Sequence, residues 1–344
     1  MAASPQWHGG SFHNPLPVRN GSLLKMLARY WNRSTHATPD LPLPVCQRRA
    51  ADFSQPPTSG LRVTWLGHSS VLIEIGGKRL LCDPVWGRRV SPVSWLGPTR
   101  FFAPPLALED LPPLDAVLLT HDHYDHLDRE TIRLLRDRVP LFVTPLGVGA
   151  WLERWGVRPE RIIERDWWQS LDLGELVLTA TPARHFSGRL LGHLRGNPTL
   201  WAGWAIQSPR HRVYICGDSG FFPGFREIGE RLGPFDLSLI ECGAYDALWP
   251  DVHLGPEQAV KAHALVRGGL LLPVHWGTFN LAFHGWTEPV ERLLRAAQSS
   301  ATPLVIPRPG ESVDPASPAP PVRWWPERPW RTAQEDPIVS TGGY

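Results

Sequence analysis

A single large α/β domain with mixed sheets is the fold class that three observations predict. Short apolar runs of strand length alternate with helical patterns along most of the chain. The early part is rich in hairpins and the later part is βα-like, so antiparallel and parallel pairing must coexist. A dense polar cluster, Thr120-His121-Asp122-His123-Tyr124-Asp125-His126-Leu127-Asp128, begins where the apolar run Asp115-Ala-Val-Leu-Leu-Thr120 ends, which places it on a loop at the end of a buried strand.

The elements follow in order. Residues 1–58 are rich in Pro, Asn, Ser and Arg and form an N-terminal extension interrupted by Ser22-Leu-Leu-Lys-Met-Leu-Ala-Arg-Tyr-Trp31. The spacing of Leu23, Leu24, Leu27 and Trp31 predicts an amphipathic helix docked on the main domain, with membrane contact through Lys25 and Arg29 as the second reading. Strands are predicted at Arg62 to Leu66, Ser70 to Ile75 and Lys78 to Cys82, the last two joined by the Gly76-Gly77 turn. Asp83-Pro84 stops the third. Beyond the strand at Asp115 to Thr120, further strands are predicted at Pro140 to Val143, Arg161 to Glu164, Leu176 to Ala180, Trp201 to Gln207, Arg212 to Cys216, Asp236 to Ile240 and Gly269 to Val274. Helices are predicted at Arg129 to Asp137, Leu146 to Trp155, Pro223 to Leu232, Pro256 to Val266 and Thr287 to Ala297. The main domain spans 59–312, and the Pro- and Trp-rich tail 313–344 is expected to be extended, with its tryptophans packed on the body.

Composition excludes several classes. Lys+Arg 35 against Asp+Glu 33, without a basic block, argues against nucleic acid as a partner. The four cysteines, Cys46, Cys82, Cys216 and Cys242, form no CxxC pair and suit reduced, buried thiols in a cytoplasmic protein. The first ten residues lack a basic n-region and an apolar h-region, so no signal peptide is predicted, and no apolar run reaches membrane-spanning length.

The polar cluster packs three histidines and three carboxylates into nine residues. In extended backbone, side chains at i and i+2 point the same way, so His121 and His123 can serve one ion. After the chain turns, Asp125 and His126 are aimed toward a second. Imidazole with carboxylate and no thiolate suits zinc first, then iron or manganese, in an open rather than a structural site. The bland reading is a polar surface loop, but histidines at ligand spacing seldom cluster by accident. Three further strand-like runs end in similar residues: Leu176 to Thr181 leads to His185, Val213 to Cys216 to Asp218, and Leu270 to Val274 directly to His275. A shared sheet orientation would bring all four groups to one edge, where α/β folds bind ligands.

The order His121-x-His123-x-Asp125-His126, His185, Asp218, His275 resembles that of the metallo-β-lactamase superfamily. Trp65-Leu-Gly-His-Ser-Ser-Val71, Asp83-Pro-Val-Trp86, Ser91-Pro-Val-Ser94, Asp166-Trp-Trp168, Gly217-Asp-Ser-Gly-Phe221, Gly233-Pro-Phe-Asp236, Gly243-Ala-Tyr245 and His275-Trp-Gly-Thr-Phe279 resemble, more narrowly, the N-acylphosphatidylethanolamine-hydrolysing phospholipase D family. The similarity runs from about residue 60 to 312. It implies an αββα sandwich, two mixed sheets flanked by helices, with two Zn2+ at one edge. His121, His123 and His185 would hold the first ion, Asp125, His126 and His275 the second, and Asp218 both, with a metal-bridging hydroxide as nucleophile.

The same resemblance names Asp125 and His253 as catalytic residues, His253 through substrate binding or leaving-group protonation. A surface histidine is its bland reading. Asp83, at a strand end, either supports a ligand imidazole as an outer carboxylate or initiates a turn. His68, between two strands in a family motif, either supports the ligands from behind or is a turn residue, whereas His193, His211, His263 and His284 receive no role, nor do His8, His13 and His36. The implied activity is a phosphodiesterase that releases N-acylethanolamine and phosphatidic acid. The alternatives are a lactonase or esterase acting on a soluble substrate, and a metal-binding protein without catalysis. Peripheral membrane contact and a homodimer are family expectations.

Overall fold

The two sheets form because strand-length runs are apolar on both faces and must be covered on both sides. A computed structural model describes residues 1–19, 21–189 and 196–341. In chain order the elements are β1 (Trp7–His8), β2 (Ser11–Phe12), α1 (Leu23–Trp31), β3 (Leu61–Gly67), β4 (Ser70–Ile75), β5 (Lys78–Cys82), β6 (Ala116–Leu118), α2 (Arg129–Leu135), β7 (Phe142–Pro145), α3 (Gly149–Arg154), β8 (Ile162–Arg165), β9 (Ser170–Leu173), β10 (Leu176–Thr181), β11 (Gly203–Gln207), β12 (Arg212–Ile215), α4 (Gly224–Leu232), β13 (Phe235–Glu241), α5 (Pro256–Leu265), β14 (Gly268–Val274), α6 (Glu288–Ser299) and β15 (Ser312–Val313).

One sheet has seven strands in the order β15-β3-β4-β5-β6-β7-β8 and the other six in the order β14-β13-β12-β11-β10-β9. Both are mixed. β3, β4 and β5 pair antiparallel, whereas β5 to β8 run parallel. β12, β13 and β14 are parallel, and β9 to β12 antiparallel. Side-chain alternation divides the seven-stranded sheet between two cores. Leu80, Cys82 and Leu118 face the other sheet, while Leu81, Val117 and Leu119 pack with Ile132 and Leu135 of α2 and Leu152 of α3. Phe225 of α4, Ala259 of α5 and Val290 of α6 cover the far side of the six-stranded sheet. This is the expected αββα sandwich. Every predicted helix and strand forms, with ends displaced by at most three residues, whereas the two-residue strands β1, β2 and β15 and the short β9, with alternate residues exposed, were not predicted.

Helix α1 departs from its predicted docking. Ser22 caps it by accepting from the Lys25 N–H. Three residues of the stripe expected to pack inward instead face out, with Leu24 79 % and Trp31 83 % exposed and Leu27 exposed as well. Arg29, assigned to lipid headgroups in the second reading, turns inward and ion-pairs Asp246 at 3.1 Å and Asp336 at 2.6 Å. These two ion pairs tie the helix to the body. In the C-terminal tail the tryptophans Trp324 and Trp325 pack on the body as expected, Trp325 buried and Trp324 against Trp65 and Trp276.

Candidate metal centre

Strand ends from both sheets build the site. β3 delivers His68, β5 Asp83, β6 the His121–Asp128 loop, β10 His185, β12 Asp218, β13 Glu241 and β14 His275. The chain turns sharply at three of these positions, because His68, Asp83 and His275 adopt φ of +54°, +42° and +62°. Left-handed backbone costs a non-glycine residue roughly 1–3 kcal/mol, so its repetition at strand ends of both sheets around one site marks a functional constraint. Gly217, ahead of Asp218, has φ +63°, and a Cβ there would lie 3.0 Å from the Ala202 carbonyl. Glycine lets the strand turn at that point.

Two clusters share Asp218. In the first, His123 Nδ1 lies 2.9 Å from His121 Nε2 and 3.2 Å from His185 Nε2. Asp218 Oδ2 stands 3.8 and 3.7 Å from the same His121 and His185 nitrogens. In the second, Asp125 Oδ2 is 3.1 Å from His275 Nε2 and 3.5 Å from His126 Nε2. Asp218 Oδ2 approaches those two nitrogens to 3.1 and 3.2 Å. All seven residues predicted as ligands are thus brought together, in the two groups expected.

A layer behind them fixes their orientation. Asp83 Oδ2 is 2.8 Å from His126 Nδ1 and accepts from Thr120 Oγ1, while Oδ1 accepts the Thr120 N–H. His185 Nδ1 meets the Val252 carbonyl at 2.7 Å, and the Asn14 side chain bonds both the N–H and the carbonyl of His185. Arg189 is buried and donates to the carbonyls of Asp122 and Leu127 while lying over the Tyr124 ring, which pins both ends of the histidine loop.

Electrostatics divides the site. Burial, reinforced by neighbouring imidazoles, holds His121 and His185 well below the ordinary histidine range. Burial likewise brings His123 down to about 4 despite the nearby carboxylates. These rings are neutral, with lone pairs to give. In the second cluster burial opposes charge, but Asp218 and Asp125 outweigh it, raising His275 to about 10 and, with Asp83, His126 well above its usual value. Asp125 and Asp218 fall well below the carboxylate range, burial being overcome by the imidazoles His126 and His275.

The donor set fits divalent cations. It consists of imidazoles and carboxylates without thiolate. Asp218 Oδ1 is buried and makes no hydrogen bond among the described residues, which would cost free energy unless a cation met it. The upward push on His126 and His275 reflects the positive charge that the two carboxylates demand; bound cations would supply that charge and leave both rings neutral to act as ligands.

Two residues were not assigned from the sequence. His68, left open there between a supporting and a turn role, puts Nε2 2.9 Å from Asp125 Oδ2 and joins the second cluster. Glu241 is fully buried, with Oε2 2.7 Å from His253 Nδ1, and forms a group with Asp218, His253 and His275. Both stand at strand ends, the signal that found the others. His211, His263 and His284 bond elsewhere, to Ser59, Ser238 and the Gly243 and Gly285 carbonyls, and His193 lies outside the described residues.

Above the clusters opens a cleft of about 650 Å³ with His123, Asp125, His185, Asp218, His253 and His275 on its floor. Its walls include Val18, Met26, Phe186, Trp249, Val252 and Leu281. Among the described residues no helix is long and apolar enough to cross a membrane.

Residues 78–276 match a beta-lactamase superfamily domain. An uncharacterised protein of Mycobacterium tuberculosis is 46 % identical over 332 residues, covering 94 % of this chain and 87 % of the mycobacterial one. N-acyl-phosphatidylethanolamine-hydrolyzing phospholipase D 1 of Caenorhabditis elegans is 36 % identical over 315 residues, 85 % of this chain and 87 % of the worm protein. The solved structure of Igni18, a metallo hydrolase of Ignicoccus hospitalis, shares the fold with a TM-score of 0.55 at 24 % identity, over 74 % of this chain and 97 % of that one. Fold, site and matches together define a metal-dependent hydrolase of the metallo-β-lactamase superfamily. Within it, the chain belongs to the same family as the worm phospholipase D.

Proposed function

We propose that the protein is a two-metal phosphodiesterase of phospholipase D type that hydrolyses N-acylphosphatidylethanolamine to N-acylethanolamine and phosphatidic acid. The observation that carries this reading is a pair of ligand clusters joined by Asp218 on the floor of a cleft with apolar walls. His121, His123 and His185 would hold one ion and Asp125, His126 and His275 the other, with Asp218 serving both and zinc the first choice. Ions bound there supply Lewis acidity and bring the pKa of water down toward about 7.

The remaining work falls to the chain. Asp83 and Thr120 hold the His126 ring, and Val252 and Asn14 hold His185, so neither needs reordering when substrate arrives. His253 stands at the cleft floor, close to Asp218, and meets the substrate's phosphoryl or leaving-group oxygen. Val18, Met26, Trp249 and Leu281 accept acyl chains. The outward apolar face of α1, Leu24, Leu27 and Trp31, lies on the helix that contributes Met26 to the cleft and suits peripheral contact with a lipid surface.

The test is a mass-spectrometric product assay on zinc-loaded protein with N-acylphosphatidylethanolamine in mixed micelles, with Asp218→Ala as the blank. Release of N-acylethanolamine and phosphatidic acid by the wild type alone is expected. Absence of lipid turnover, together with cleavage of a soluble lactone or ester, would replace the lipid reading.

A further inference from the structure

We infer that Glu241 is a positioning residue that fixes the tautomer and orientation of His253, turning Nε2 toward the substrate. The inference rests on the cleft being the substrate site. Glu241 closes β13, which runs between β12 and β14, and its side chain has no contact with solvent. Its carboxylate is held at both oxygens. Oε1 accepts the Ser219 N–H at 2.5 Å, beside Asp218, and Oε2 lies 2.7 Å from His253 Nδ1.

The Ser219 N–H is a backbone donor that cannot reverse its role, so Oε1 must accept and the plane of the carboxylate is set. Oε2 then faces Nδ1, and a carboxylate there draws the ring proton onto Nδ1. Nε2 makes no hydrogen bond among the described residues, and His253 lines the cleft with 14 % of its side chain exposed. The ring is flanked by His185 and His275, with centroids at 5.0 and 5.4 Å. Rotation is therefore restricted as well as protonation. A group held in this way enters the reaction without having to choose between tautomers.

Glu241→Gln isolates the effect without changing volume. The Gln carbonyl must stay on the Ser219 N–H, so its NH2 faces His253 Nδ1 and the ring proton moves to Nε2. The experiment combines 15N NMR of histidine-labelled, zinc-loaded full-length protein with metal analysis and kcat/KM on N-acylphosphatidylethanolamine. We expect His253 with its proton on Nδ1 in the wild type and on Nε2 in Glu241→Gln. Metal content should be equal in both, and kcat/KM lower by about 10- to 100-fold in the variant. In a His253→Ala background, Glu241→Gln should cause no further loss. The inference is overturned by a wild-type His253 protonated on Nε2, which needs no variant to be observed. It is also overturned by an unchanged tautomer in Glu241→Gln, or by an equal loss of activity in the two backgrounds. A wild type without lipid turnover would sink the substrate reading alone, since the NMR signals still decide whether Glu241 sets His253.

Discussion

Residues with ligand chemistry stand where strands end, and that regularity made most of the site legible. His121, His123, His185, Asp218 and His275 each follow an apolar run of strand length. His253 lies 12 residues past the end of β13, and its place just before the Gly255-Pro256 helix start, with the family resemblance, marked it. Replacing it with Ala should leave metal content intact and lower kcat by about 10²- to 10⁴-fold, the usual contribution of a positioned proton-exchanging group. Unchanged turnover with full metal content would return His253 to the cleft wall. Glu241 escaped because a single acid at the end of an apolar run looks like an ordinary solvated strand end. Its burial comes from β12 and β14 on either side, a tertiary fact. His68 stayed undecided between two roles because its approach to Asp125, 57 positions away, is a tertiary fact.

Among the elements, strands with Val, Ile and Leu on both faces were readable because the sandwich covers both sides, whereas β9 was too short and too exposed to signal. Helix α1 was readable as a helix but not in its docking, since Arg29 found Asp246 and Asp336 more than 200 residues away. Helix α5 carries a pH-dependent contribution. His263 is buried against β13, bonded to Ser238 at 2.7 Å, and burial lowers it from 6.5 to about 4. Below pH 6.5 the unfolded chain takes up this proton and the folded chain does not. The stability from keeping the ring neutral is therefore complete above pH 6.5 and is lost as pH falls toward 4. By pH 5 the loss is about 2 kcal/mol. Urea denaturation at pH 7 and pH 5 should show the wild type losing about that much more than His263→Gln. Equal losses would mean that His263 titrates normally in the folded protein.

Across the whole molecule, segments distant in sequence meet at one buried ion pair. Arg184 Nη1 and Asp251 Oδ1 are 3.0 Å apart with neither side chain exposed. Asp251 also accepts from the Arg19 N–H and from the N–H and hydroxyl of Thr341, and Arg184 donates to the Phe221 carbonyl. The N-terminal segment, the loop of His185, the loop of His253 and the C-terminal tail are thus tied beside the site. Asp251→Ala leaves a buried guanidinium unpaired and should cost about 3–5 kcal/mol in chemical denaturation; a change below about 1 kcal/mol would show that the node relaxes.

The proposed two-ion site rests on Asp218, the residue that both clusters share. The most direct measurement is the metal-to-protein ratio by inductively coupled plasma mass spectrometry, for the wild type and Asp218→Ala after zinc loading and desalting. Two zinc ions per chain in the wild type, with fewer in the variant and no activity remaining, is the predicted result. A wild type that retains one ion or none, or an Asp218→Ala variant that keeps both ions and full activity, would contradict it.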